Sequence, residues 1–88
     1  MNKKIKKLLL YEAVYSNKRD IKKQQSSSAF FYAENDEQAF NFASIIEDEM
    51  CGRKLKSVEL SEIKMKPTHD YKLLLDKEIE IKMIGIEN

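Results

Sequence analysis

Apolar residues recur along this chain with two different periods, and the changes of period mark out its elements. From Lys7 to Ser16 they alternate. Leu9, Tyr11, Ala13 and Tyr15 share one side, and Leu8, Leu10, Glu12 and Val14 the other, as in a β-strand. Both sides are fairly apolar, which predicts an interior strand or one covered on its second face. Ala29–Glu34 reads as a second strand, with Ala29, Phe31 and Ala33 opposite Phe30 and Tyr32. Ser16–Ser28 between them is polar and cationic, and predicts a long loop.

The period then lengthens. Over Asn35–Gly52, NDEQAFNFASIIEDEMCG, the residues Ala39, Phe42, Ala43, Ile46 and Met50 fall on one face at about 100° per residue. That spacing predicts an amphipathic helix over Asn35–Cys51. Asn35 suits the N-cap, Gln38 is placed to reach back to it, and Asp36 and Glu37 suit the positive end of the dipole. Gly52 supplies the stop. Phe40 and Ile45 flank the apolar arc and make it wider than one sheet contact requires. Two readings stand here: both flanks pack under loops, or the Ile45 side meets a partner.

After Gly52, Val58 and Leu60 share one parity while Ile63 and Met65 have the other. The third strand therefore carries a bulge near Ser61–Glu62 or stops there, and Pro67 closes the segment. Thr68–Asp76 fits a short helix capped by Thr68, and it also fits a strand. Glu78–Ile86 alternates most cleanly of all, with Ile79, Ile81 and Met83 against Glu78, Glu80 and Lys82. This predicts a carboxyl-terminal strand with one wet face.

The expected fold is a single α+β domain over residues 1–88. It is a ββαβ unit plus a carboxyl-terminal strand, its small antiparallel sheet covered on one face by the Asn35–Cys51 helix. Leu8, Leu10, Val14, Phe30 and Tyr32 are too apolar for a wet second face. A second copy, making a homodimer, or another partner is expected to cover it.

Composition narrows the function classes. Eighty-eight residues with 42% hydrophobic content support a modest core, and a formal charge of +1 argues against a bulk polyanion binder. The single cysteine, Cys51, excludes an internal disulfide and reads as a partly buried structural thiol. No apolar run approaches a membrane span, and MNKKIKKLLL begins like a signal peptide but is cut short by Tyr11 and Glu12. A cytoplasmic location is expected.

Catalytic chemistry finds little to work with. His69 and Cys51 are the only residues of their kinds, lie in different segments, and form no nucleophile–base pair by spacing. There is no CxxC, no histidine pair and no calcium loop, and two glycines cannot build a phosphate cradle. No cofactor, metal or catalytic site is expected, and the chain reads as a non-enzyme.

Charge supplies the remaining candidates. Residues 34–49 carry −6, and residues 1–7, 18–23 and 53–56 carry +4, +3 and +3. Ile45 with Glu47, Asp48 and Glu49, at the acidic end of the helix, is the candidate surface for a protein partner. Lys3, Lys4, Lys6, Lys7, Arg19, Lys22 and Lys23 are the alternative, a patch that follows a phosphate backbone if the amino terminus and the hairpin tip adjoin.

The run from Leu8 to Lys66, with AFFYAENDEQAFNFAS and then KLKSVELSEIK, resembles small accessory proteins of bacteriophages and mobile elements. That resemblance implies a host-takeover or anti-defence inhibitor acting by binding, and it carries over no catalytic residue.

Overall fold

The computed structural model describes residues 7–17 and 26–86. Its elements are β1 (Leu9–Asn17), β2 (Ser26–Ala33), α1 (Asp36–Glu49), β3 (Arg53–Leu60) and α2 (Tyr71–Ile86). The strands form one antiparallel sheet in the order β2-β1-β3, with helices added to it, so the fold is α+β.

β1 is the central strand, as its two apolar sides require. β2 starts at Ser26, three residues before the expected Ala29, because Ser26, Ser27 and Ser28 pair with Ser16, Tyr15 and Val14. Tyr11, Ala13 and Tyr15 lie beside Phe31 and Ala29 of β2 and beside Leu60, Val58 and Leu55 of β3. This face meets Ala39, Phe42, Ala43 and Ile46 of α1 to form the core. Five core alanines bring helix and sheet close, and aromatic rings fill the space between. Tyr11 stacks on Phe31, Phe31 meets Phe42 edge-on at 6.0 Å, and Phe42 meets Tyr71 edge-on at 5.8 Å. The ring series thus runs from the sheet through α1 into α2.

The caps of α1 follow the sequence closely. Asn35 accepts from the Gln38 N–H at 2.8 Å, while the Gln38 side chain accepts from the Glu34 N–H at 2.9 Å. The helix ends at Glu49 with Met50 as C-cap, and Gly52 takes φ +84° in the turn into β3. Cys51, in that turn, is exposed rather than partly buried.

Of the two expectations for β3, the strand that stops holds and the bulge near Ser61–Glu62 does not form. The register shift lies opposite Val14/Tyr15 and makes Lys56 the extra residue, whereas the strand simply ends at Leu60. Ser61 then donates from its N–H to the Leu10 carbonyl and its hydroxyl bonds to the Ile63 carbonyl, which turns the chain away. Ile63 and Met65 stay exposed.

The connection after β3 reaches the outer edge of β2. There the Phe30 N–H donates to the Thr68 hydroxyl at 2.9 Å, and the Thr68 N–H donates to the Phe30 carbonyl at 2.8 Å. Along the way it shares a hollow with Leu10 and Tyr32. Phe30 is buried, and Leu8, Leu10, Val14 and Tyr32 are half-buried. The chain's own connection thus supplies part of the cover that was expected from a second copy.

The expected carboxyl-terminal strand is not formed. Residues 71–86 are one continuous helix, α2. Asp70, not Thr68, caps it, accepting from the Leu73 N–H at 3.2 Å. Tyr71, Leu74, Leu75 and Glu78 have helical spacing and turn inward, with Tyr71, Leu74 and Leu75 packed on the core. β1 already has a strand on each side, so the alternation after Glu78 finds no place beside it.

Candidate protein-binding surface

The helix α2 is joined to α1 by polar groups that its sequence pattern conceals. Glu78 is only 7% exposed. It accepts from the Asn41 amide at 2.9 Å and from the Gln38 amide at 3.2 Å, with Lys82 at 4.0 Å one turn on. The Tyr71 hydroxyl donates to Glu34 at 3.1 Å, and burial first, then that bond, raises its pKa. A buried carboxylate is tolerable only with such donors around it.

Beyond Glu78 the helix has little left to pack against. Ile79, Ile81, Met83 and Ile84 are 47–69% exposed. At 100° per residue these four span roughly 200° of the helix circumference, with Glu78 and Lys82 on the remaining side, because a period-2 pattern wound on a 3.6-residue helix cannot make a narrow stripe. So wide an apolar arc exceeds the stripe by which a surface helix packs on one neighbour. Near the start of α2, Leu73 and Leu74 line a hollow bordered by Glu49, Asp70, Asp76 and Glu80, with Lys77 paired to Glu49 at 3.6 Å.

The residues singled out at the acidic end of α1 are placed differently from expectation. Ile45 is 6% exposed and belongs to the core. It lies on the side of α1 that carries Gln38, Asn41 and Glu49, whose partners are on α2, so this flank is covered from within the chain. Glu47 accepts from the Leu55 N–H at 2.8 Å, tying the helix to β3, and Glu49 has Lys77. Asp48 remains exposed. The exposed flank of α1 is the other one, where Phe40 is 57% exposed.

Of the cationic candidates, Lys7 is exposed just before β1. Lys3, Lys4, Lys6, Arg19, Lys22 and Lys23 lie outside the described residues. The nine residues of β1 separate Lys7 from Asn17 by about 30 Å.

Among the described residues, no group of three or more His, Cys, Asp or Glu side chains is placed to hold a metal ion, and no helix is long and apolar enough to cross a membrane. The His69 ring nitrogen lies 2.8 Å from the Thr68 hydroxyl in the bend before α2.

No protein-family model matches the chain, and comparison with curated proteins and with solved structures yields no match. The exposed residues of α2 escaped a reading based on alternation. The signal for them was the run of good helix formers from Tyr71 to Met83, with no glycine or proline in it to separate a turn from a strand.

Proposed function

We propose that this protein is a non-enzymatic, cytoplasmic protein-binding module that docks the second half of α2 into an apolar groove of a partner protein. The observation that carries this reading is the exposure of Ile79, Ile81, Met83 and Ile84 on one short helical segment. Covering the exposed parts of four such side chains contributes about 3–6 kcal/mol. Association itself costs about that much or more. A partner of useful affinity therefore takes up further surface, and Leu73 with its carboxylate rim is adjacent, suited to a basic side chain of the partner. A phage-encoded inhibitor is a protein of this type, and that origin is the reading the sequence resemblance suggests.

The test places a photo-crosslinking residue at Met83 in the full chain and identifies adducts by mass spectrometry in bacterial cells. The expected result is one dominant protein adduct, lost in an I81S/I84S variant of unchanged circular dichroism. Adducts no different from those of the double-serine variant would remove the proposal. A nucleic-acid accessory using the Lys-rich amino terminus is the second reading. It predicts binding to generic DNA or RNA that weakens steeply with salt.

A further inference from the structure

The strand β3 is an edge. Its inner side pairs with β1, and among the described residues no strand pairs with its outer side. The bond from the Ser61 N–H to the Leu10 carbonyl settles which groups face inward. Strand alternation then turns the N–H and C=O of Val58 and Leu60 outward. The first half of this edge is closed. The Leu55 N–H is held by the Glu47 carboxylate, and the Arg53 N–H is directed at the Met50 carbonyl. Open backbone is thus confined to the stretch from Lys56, whose carbonyl points outward because the Ser57 N–H points in, to Leu60. Beside it, Phe40 and Leu60, 57% and 53% exposed, border a shallow groove.

Charge along this edge changes sign at Val58. Lys54 and Lys56 precede Val58, and Glu59 and Glu62 follow it; all four charged side chains are exposed. A strand so marked complements itself when reversed. We propose that a second copy of this chain pairs here, β3 against β3 and antiparallel, about a two-fold axis at Val58. On that axis the two Val58 residues exchange both backbone bonds, and the Leu60 N–H of each copy meets the Lys56 carbonyl of the other. Lys56, the extra residue of the register shift, lies one position along from Glu59 of the other copy, and symmetry makes that contact twice.

Other registers are worse on the same grounds. Moving the axis toward Leu60 gathers the carboxylates of both copies, and moving it toward Lys54 gathers lysines over backbone that Glu47 has already closed. Edge lysines ordinarily discourage pairing; here the acidic end of the same strand answers them. The helix α2 contacts α1 and β2 but not β3, so this dimer leaves the α2 surface free.

Sedimentation of the full chain from micromolar to millimolar concentration tests the idea, with the charge reversals K56E and E59K. Among the described residues neither side chain has a partner, and circular dichroism checks that the fold survives. The expected result is a dimer that each single reversal weakens by about tenfold and that the K56E/E59K double variant restores. A strict monomer at millimolar concentration overturns the proposal. So does a dimer indifferent to the single reversals, or one that the double variant fails to restore.

Discussion

The hydroxyl of Tyr15, in β1, donates a 2.7 Å hydrogen bond to the main-chain carbonyl of Ala43, in the middle of α1. Both residues are fully buried, so the bond forms away from water and fixes the helix against the sheet at one point. Burial, and then the charge of Glu47, push the Tyr15 phenol well above its ordinary pKa. Tyr15→Phe keeps the ring and removes the bond. Because the Ala43 carbonyl also serves the helix ladder, the expected loss is about 1 kcal/mol, read from urea midpoints. A variant as stable as the parent would mean that ring packing alone seats α1.

Alkaline pH is expected to weaken the fold through the same group of tyrosines. The Tyr11 hydroxyl donates to Asp36 at 2.8 Å, and burial, then that bond and the Asp36 charge, push its pKa up to about 12 from an ordinary 10.0. The folded state therefore holds this proton more tightly than the unfolded chain does. Its contribution is complete below pH 10 and is lost as pH rises toward 12. Tyr15 and Tyr71 shift in the same direction. Stability measured across that range should fall, and Tyr11→Phe should make the decline shallower; an unchanged slope counts against Tyr11 as a source.

Glu78 is expected to be the most sensitive polar position of α2. Glu78→Ala leaves the Gln38 and Asn41 amides without their buried acceptor, at a cost of about 2 kcal/mol. Glu78→Gln keeps one carbonyl oxygen and should cost less. Hydrogen exchange in α2 should speed up more than in β1. Equal protection of both elements in Glu78→Ala would show that Leu74 and Tyr71 hold the helix unaided.

Thr68 closes part of the outer edge of β2. Thr68→Val keeps the shape but deprives the Phe30 N–H of its acceptor, while the Thr68 N–H still reaches the Phe30 carbonyl. The expected cost is about 1–2 kcal/mol, with faster exchange of the Phe30 amide. Unaltered exchange there would indicate that the backbone bond alone keeps the edge closed.

Much of the fold could be read from local pattern. The alternation of Tyr11, Ala13 and Tyr15 chose the buried side of β1, and the Asn35 cap with Ala39, Phe42, Ala43 and Ile46 defined α1 and its core face. The candidate surface was less legible. Of the two readings for the Ile45 flank the covered one holds, and its cover is α2, whose second half alternates like a strand. Phe40, on the opposite flank, is the residue left exposed.

What the sequence determined by itself are the elements whose stabilising contacts are local or repeat along one face: β1, β2, α1 and the turn at Gly52. Tertiary structure decided the rest. Residues 78–86 have the alternation of a strand, yet the helical positions Tyr71, Leu74 and Glu78 bury against α1, and Glu78 reaches amides as far as 40 residues back in the chain. Period is a local property, whereas the choice between strand and helix here depended on which distant surface was left to cover. The same choice leaves Ile79, Ile81, Met83 and Ile84 exposed, since a pattern suited to one face of a sheet spreads, on a helix, over a wider arc than α1 covers.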